Sequence, residues 1–292
     1  MRMRILIGLA ATLPTLGCGT HQTRQLTMIV AHRGASGYLP EHTLEAYAAA
    51  YFMGADMIEP DVVATRDGQL ICLHDLYLEK VTNVSVVFPG RARADGHWYA
   101  IDFDLDEILR LNATGRGEDH WSGFQIATLE QMLTLVSRLN TQTGRSVAVV
   151  PELKDPAFHA GEGIDLTARF IETIERLGWD NDRCYIQCFQ PETLRRIHET
   201  HGERFQLLQL VSDPDRVPSL EEIAGYACGI GPSRKVIDAD PGLVARAHQI
   251  GLLVIPYTFQ DDRAPIDEYA HIFRVDGVFA NYPDIAGQVI RE

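Results

Sequence analysis

Short apolar segments rich in β-branched residues alternate with longer segments of helical period along most of this chain. This alternation is typical of parallel βαβ units, because a crossover between parallel strands needs a helix-sized connection. The 292 residues suit one barrel of eight such units once an export segment is set aside. We therefore predict an α/β fold with one barrel domain over residues 27–292.

Eight segments have the length and composition of buried strands: 27–31, 57–62, 70–73, 147–151, 184–189, 206–211, 252–257 and 275–280. A ninth run, 229–231, competes for one of the eight places. Helices are predicted over 43–53 with Thr43 as the cap, and over 129–139, 166–177, 191–201 and 243–249. Residues 76–125 break the rhythm and are predicted to form an insertion at the barrel mouth, where long loops shape substrate sites.

The N-terminus begins with basic residues followed by the apolar run 5–16, which is the pattern of a signal peptide over residues 1–17. The run is too short to span a bilayer, which takes roughly 20 residues. Thr-Leu-Gly before Cys18 indicates a bacterial lipoprotein cleavage site, and plain secretion with cleavage a few residues later stays open. We expect an exported protein, either periplasmic or anchored to the membrane through a lipidated Cys18.

The formal net charge of −14 argues against nucleic acid as a partner, because such binding depends on Lys and Arg neutralising phosphates. A small anionic substrate remains compatible with this charge, since a bound cation can reverse the field inside a pocket. The cysteines after the N-terminal segment lie in apolar runs and are predicted to be core side chains: Cys72, Cys184, Cys188 and Cys228. Their spacing does not indicate zinc.

Ionisable side chains occur at four successive predicted strands, and in a barrel the carboxyl ends of strands meet at one mouth. These residues are His32, Arg33, Glu59, Asp61, His74, Glu152 and Lys154. Glu59 and Asp61 are two apart, so both side chains point to one side of a strand, and Glu152 would add a third oxygen donor. This donor set suits Ca²⁺ or Mg²⁺. The alternative is a solvated carboxylate pair at a strand edge.

The turn-like residues 66–68 leave two topologies open for residues 57–73, a hairpin or a βαβ crossover. In a hairpin, Thr65 would face Gln69 and Asp61 would face Leu73. His74 then lies beside the carboxylates, and a crossover would bring it there as well.

His32 and His74 suit acid–base duty, because an imidazole can accept a proton at one step and donate it at another. Arg33 can clamp a phosphate through two nitrogens, and Lys154 can add a point charge. Both cations have a simpler use as counter-ions for the carboxylates.

Four segments resemble the glycerophosphodiester phosphodiesterase family in order and spacing: AHRGASGYLPEHT at 31–43, GADMIEPD at 54–61, LHD at 73–75 and PELK at 151–154. Further matches occur at 187–189, 229–232, 256–258 and 279–284. The likeness therefore runs from about residue 27 to the end of the chain. The insertion, through 88–93 and 99–103, is similar to the periplasmic bacterial branch, whose members use calcium.

The resemblance implies a TIM-type (β/α)8 barrel with an insertion after the third strand, and hydrolysis of glycerophosphodiesters to sn-glycerol 3-phosphate and an alcohol. It implies the following site: His32 and His74 as the acid–base pair; Glu59, Asp61 and Glu152 on Ca²⁺, with Mg²⁺ as the alternative; Arg33 and Lys154 on phosphate oxygens; Gln187 and Tyr257 in the substrate site; and Glu41 supporting a catalytic group or the metal shell.

Three residues depart from the family pattern, namely His42, Ala127 and Asn281, and we expect Asn281 to affect a contact at the mouth and not the core chemistry. We expect His32 to act as base and His74 as acid on a small glycerophosphodiester. Water and the glycerol 2-hydroxyl both stay open as the nucleophile. Two rival functions also stay open, a phospholipase-type enzyme acting on intact lipids and an exported binding protein that keeps the barrel.

Overall fold

Eight parallel strand positions form the wall of the barrel in a computed structural model, which describes residues 27–116, 121–180 and 183–292. Two positions are each divided at a proline, Pro60 and Pro151, because proline lacks the N–H that a strand ladder needs. A parallel bridge between Phe259 and Ala280 links the last two positions. The α/β barrel predicted from the alternation is confirmed. The strands are β1 Met28–His32, β2 Met57–Glu59, β3 Asp61–Ala64, β4 Leu70–Cys72, β5 Ala148–Val149, β6 Glu152–Leu153, β7 Tyr185–Cys188, β8 Gln206–Val211, β9 Gly229–Pro232, β10 Leu253–Val254 and β11 Gly277–Ala280.

Helices surround this wall, and the Thr43 hydroxyl caps the first of them by accepting from the backbone N–H of Ala46 at 3.2 Å. The α-helices are α1 Leu44–Phe52, α2 Val84–Val87, α3 Leu105–Ile108, α4 Leu129–Thr143, α5 Pro156–Gly161, α6 Leu166–Arg176, α7 Pro191–His201, α8 Leu220–Ala224, α9 Arg234–Ala239, α10 Leu243–Gln249, α11 Arg263–Asp267 and α12 Pro283–Arg291; a π-helix covers Glu268–Phe273. The predicted α7 and α10 have the observed bounds. The helix α12, which packs on β1, was not predicted.

The choice of the eight barrel strands was wrong at one place. The run that begins at Gly229 is a barrel strand, because β9 pairs in parallel with both β8 and β10. Residues 70–73 instead supply β4, which runs antiparallel to β3 and lies at the edge of the sheet. The insertion therefore follows the second barrel strand and its hairpin, and not a third barrel strand.

The hairpin topology that the sequence left open is the correct one. Thr65 N–H donates to the Gln69 carbonyl at 2.9 Å, and Leu73 N–H donates to the Asp61 carbonyl at 3.0 Å, which is the predicted register. The returning strand β4 brings the chain back to the carboxylates. His74 follows it immediately and so reaches the mouth from the end of a hairpin arm.

The insertion has a hydrophobic core of its own, which it shares with the β3–β4 hairpin. Val63, Ile71 and Leu73 from the hairpin pack in one cluster with insertion residues that include Phe103 and Ile108. A separate, larger cluster packs the barrel wall against the surrounding helices, and a small cluster fills the barrel interior. The insertion thus packs against the barrel through the β3–β4 hairpin, which leads directly into His74.

Cys72, Cys184 and Cys188 are buried free thiols, and Cys228 is a half-buried one, in agreement with the prediction of core side chains. The proposed signal peptide over residues 1–17 and Cys18 lie outside the described residues. Within the described ranges, no helix combines the length and apolar character that crossing a membrane requires.

Candidate active site

A cavity of about 170 Å³ opens at the mouth of the barrel. Its lining joins residues from the carboxyl ends of several strands, where active sites of such barrels lie. The lining residues are His32, Arg33, Glu59, His74, Glu152, Gln187, Phe189, Leu210, Tyr257, Thr258 and Phe279. Both predicted histidines therefore face the same space.

The loop after β1 is held in a conformation that L-residues rarely adopt. Arg33 and His42 have φ of +59° and +62°, and Gly34 has φ of +84°. A Cβ on Gly34 would lie 2.8 Å from the carbonyl carbon of Ala46, so a side chain does not fit there. The bend points the Arg33 backbone N–H at Glu59 Oε2, 2.8 Å away. Non-glycine residues at positive φ cost free energy and are concentrated at functional sites.

Three buried carboxylates lie beneath this loop, and Glu59, Asp61 and Glu152 each offer an oxygen within 4.8 Å of the other two. The register explains the grouping, because Asp61 pairs with Glu152 across β3 and β6 while Glu59 ends β2. Asp61 Oδ1 accepts no hydrogen bond from the described residues and lies 3.4 Å from Lys154 Nζ.

The electrostatics of the three carboxylates fit a divalent cation. Burial and the charge of Asp61 raise the pKa of Glu59 and that of Glu152. At Asp61, Lys154, His42 and Arg33 together outweigh burial and hold the pKa well below its ordinary value. Ca²⁺ and Mg²⁺ bind to clusters of carboxylate oxygens. A bound cation of this kind would relieve the repulsion among the three carboxylates. Glu59, Asp61 and Glu152 are the residues that would hold the ion.

His32 is oriented by Asn281 from the last barrel strand. Its Nδ1 lies 2.6 Å from Asn281 Oδ1, and the Asn281 amide donates in turn to Gln260 Oε1 at 2.8 Å. The amide orientation makes Nδ1 the proton donor, which leaves Nε2 as an acceptor. Burial, with the adjacent charge of Arg33, lowers the pKa of His32 to about 3. Asn281 thus contacts His32 directly at the barrel mouth, and its effect on the chemistry stays a prediction.

His74 is oriented by its neighbour Asp75, whose Oδ1 lies 3.1 Å from His74 Nδ1. The other carboxylate oxygen of Asp75 accepts from Arg116 Nη1 at 2.9 Å. Arg116 also contacts Glu41, which in turn accepts from Arg33 Nη1 at 3.1 Å. Glu41 therefore lies between the Arg33 and Arg116 guanidinium groups, and its supporting role stays a prediction.

His42 is fully enclosed below the loop and bridges two other buried groups. Its Nε2 lies 2.9 Å from Asp61 Oδ2, and its Nδ1 lies 2.8 Å from the Tyr47 hydroxyl. Because the Asp61 carboxylate can only accept, Nε2 carries the proton, and Nδ1 of the neutral ring accepts from the Tyr47 hydroxyl. This hydrogen bond fixes the orientation of the Asp61 carboxylate.

The remaining predicted residues lie around the cavity. Lys154 Nζ is 2.7 Å from Glu152 Oε1, so it serves as a counter-ion to the carboxylates. Gln187 donates to Val150 O at 3.1 Å, and its Oε1 is buried without a hydrogen-bond partner. The Tyr257 hydroxyl donates to Val211 O at 3.1 Å, and its ring meets Phe189 edge-on.

Asp75 and Arg116, which contact His74 and Glu41, carried no predicted role. Asp75 was identifiable from its place beside His74 in the LHD segment. Arg116 had no signal in the sequence, because it lies 75 residues from Glu41 and 41 from Asp75.

Comparison with known proteins identifies the family. Residues 32–285 match the glycerophosphoryl diester phosphodiesterase family. The chain belongs to that family. A glycerophosphodiester phosphodiesterase of Haemophilus influenzae is 30% identical over 94% of both chains. One of Bacillus subtilis is 33% identical, with 90% of this chain and 86% of the relative covered. The resemblance found in the sequence is confirmed, and the chain is a phosphoric diester hydrolase.

Solved structures support the same fold. A phosphodiesterase of Oleispira antarctica, in complex with the product sn-glycerol-3-phosphate, superposes with a TM-score of 0.74 at 23% identity, covering 91% of this chain and 98% of the other. A glycerophosphodiester phosphodiesterase of Agrobacterium tumefaciens gives 0.69 at 26% identity, covering 90% and 100%. The placement of this chain among the TIM barrels is therefore firm.

Proposed function

We propose that this enzyme hydrolyses small glycerophosphodiesters, such as glycerophosphocholine or glycerophosphoethanolamine, to sn-glycerol 3-phosphate and an alcohol. The observation that carries the proposal is the pair of histidines on one cavity, each held at Nδ1 by a different partner. This arrangement leaves the Nε2 atoms of His32 and His74 for proton transfer. The product bound by the Oleispira antarctica protein supports the same substrate class.

The surroundings of the two histidines support His32 as the base and His74 as the acid. His32 is neutral and donates to an uncharged amide, so its Nε2 lone pair can take the proton of the attacking hydroxyl. His74 Nδ1 lies 3.1 Å from the Asp75 carboxylate, which orients the ring at the cavity. A positive His74 ring can give its proton to the leaving alcohol oxygen.

We propose Ca²⁺ as the cation on Glu59, Asp61 and Glu152, with Mg²⁺ as the alternative. A bound divalent cation neutralises non-bridging phosphate oxygens and so lowers the charge that the nucleophile must approach. Arg33 adds hydrogen-bond donors for the same oxygens, and Glu41 holds its guanidinium in place. Lys154 adds a further positive charge beside the carboxylates.

The apolar wall of the cavity suits the glycerol part of the substrate. Tyr257 and Phe189 present ring surfaces to the carbon chain. The unpaired Gln187 Oε1 is a buried acceptor, and a glycerol hydroxyl is the type of group that would satisfy it.

The test is release of glycerol 3-phosphate from glycerophosphocholine by the purified protein. We expect excess chelator to abolish release and Ca²⁺ to restore it, while His74→Ala removes most activity without loss of folding. Calcium binding measured by calorimetry should disappear in Asp61→Asn. Release that persists in chelator would refute the metal assignment, and a wild-type rate in His74→Ala would refute the acid. Hydrolysis of an intact phospholipid, measured in parallel, would indicate the phospholipase function. A substrate that lacks the glycerol 2-hydroxyl distinguishes the two nucleophiles, because only attack by water is possible on it.

A further inference from the structure

We propose that Arg116, carried by the insertion, is a positioning residue of this site that holds His74 and Arg33 in their working places at the same time. The inference rests on the proposed roles of His74 and Arg33. It concerns a side chain that touches neither the cavity nor the three carboxylates, and that acts through Asp75 and Glu41.

The contacts of Arg116 connect two separate loops. Its Nη1 donates to Asp75 Oδ2 at 2.9 Å and its Nη2 to Glu41 Oε1 at 2.8 Å, while Nε approaches Glu41 Oε2 at 3.3 Å. Glu41 lies in the loop after β1, and Asp75 follows the hairpin strand β4. One guanidinium thus spans the loops that supply His74 and Arg33.

Each bridged carboxylate is itself bonded to a proposed catalytic or binding group. Asp75 uses its second oxygen for His74 Nδ1 at 3.1 Å, and Glu41 accepts from Arg33 Nη1 through both oxygens at 3.2 and 3.1 Å. Removing Arg116 would leave two carboxylates without the cation between them, and like charges this close repel. The repulsion would turn His74 and Arg33 away from their present orientations.

The backbone that carries Arg116 is anchored in the insertion. Ala113 N–H donates to the Phe124 carbonyl at 2.8 Å, and Thr114 N–H donates to the Val81 carbonyl at 2.8 Å. Val81 and Ala113 belong to the hydrophobic cluster that the insertion shares with the hairpin. The guanidinium therefore extends from a fixed base toward the mouth.

The burial of its partner separates Arg116 from ordinary surface ion pairs. Its side chain is 37% exposed, whereas that of Glu41 is 8% exposed. Exposed ion pairs contribute little to stability, but a buried carboxylate that loses its cation is costly. Burial opposes ionisation of Glu41, and Arg33 and Arg116 outweigh it and lower its pKa to about 2. The Glu41 carboxylate, which lies between the two guanidinium groups, is therefore ionised at every pH at which the enzyme would be assayed.

Arg204 offers a matched control. It bridges Glu175 and Asp180 through Nη1 and Nη2, both at 2.6 Å, with 44% of its side chain exposed. It precedes the amino end of β8, on the opposite face of the barrel from the mouth. The variant Arg204→Gln thus removes an equivalent pair of ionic contacts where no site residue depends on them.

The experiment compares steady-state hydrolysis of glycerophosphocholine by Arg116→Gln, Arg116→Lys, Arg204→Gln and His74→Ala, with the melting temperature of each. We expect kcat/KM of Arg116→Gln to fall roughly 10- to 100-fold, the range that small displacements of catalytic groups produce. Arg116→Lys should recover part of it, because one ammonium cannot span both carboxylates as a planar fork does. In an Asp75→Asn background, Arg116→Gln should cost less than in the wild type, because its partner is already neutral.

If Arg116 had a purely structural role, Arg116→Gln would lower the melting temperature, and its effect on kcat/KM would be the same in the wild type and in the Asp75→Asn background. Equal kcat/KM in Arg116→Gln and Arg204→Gln, with His74→Ala inactive, would overturn the inference and leave the proposed function standing. A wild-type rate in His74→Ala would overturn both. If Arg116→Gln does not fold, Arg116→Lys decides the matter, since a wild-type rate in that variant contradicts a bridging role.

Discussion

Single side chains around the cavity give the two histidines different chemical characters. Asn281, an uncharged amide, holds His32, and the carboxylate of Asp75 holds His74. Burial and the adjacent charge of Arg33 lower the pKa of His32 and keep its ring neutral, and the hydrogen bond to Asn281 offsets them only in part. The burial of His32 beside Arg33 therefore supports the base in the proposed division between base and acid.

The variant Asn281→Asp tests that division through the pH dependence of kcat/KM. Burial and Arg33 hold the pKa of His32 at about 3, and a carboxylate at position 281 would raise it by roughly 1 to 3 units. Because the proposed base must be deprotonated, a higher pKa moves the acidic limb of the profile to higher pH. Activity at acidic pH should fall while activity on the plateau changes less.

The control is Asn112→Asp, which adds the same charge at an exposed position of the insertion. Its profile should coincide with that of the wild type. An unmoved acidic limb in Asn281→Asp would show that His32 is not the base.

At the scale of elements, the β3–β4 hairpin completes the site because it brings His74 to the carboxylates. It extends the second barrel strand past Asp61, turns at residues 65–69 and returns His74 to the carboxylates. The insertion packs on this hairpin and supplies Arg116. The position of His74 thus depends on hydrophobic packing outside the barrel proper.

Phe103→Ala tests the importance of that packing for stability. Phe103 is fully buried in the insertion core, with Phe88 and the Arg91 guanidinium against its ring. Truncating a buried phenylalanine leaves a cavity and costs about 3–5 kcal/mol. We expect a loss of this size in the free energy of unfolding measured by urea denaturation. Phe52→Ala, at a side chain that is 69% exposed, should change it by less than about 0.5 kcal/mol, and equal losses would contradict this assignment.

At the scale of the whole molecule, an acidic chain encloses a site for an anionic substrate. The net charge of −14 is reconciled with that substrate locally, because Arg33 lines the cavity and Lys154 lies against the carboxylates of the proposed cation site. The described helices provide no membrane span.

We propose export of the protein and lipidation of Cys18, on the basis of the basic start, the apolar run 5–16 and the small residue before the cysteine. In a bacterial host, the full chain should sediment with membranes, and Cys18→Ala should move it to the soluble fraction without changing activity in a detergent extract. Immunoblots of the two fractions give the readout. A soluble wild-type protein outside the cytoplasm would favour plain secretion instead.

The sequence by itself determined the α/β class, the Thr43 cap, the bounds of α7 and α10, and the carboxylate pair. These features depend on short-range rules: helical period, alternation along a strand, and the turn that fixes the Thr65–Gln69 register. Only the tertiary structure decided that the run at Gly229 joins the barrel while residues 70–73 form a hairpin arm, since both are short apolar strands and closure of the barrel selects between them. It likewise decided the partners Asn281 and Arg116, because contacts across 249 and 75 residues follow from how the elements pack and leave no local pattern.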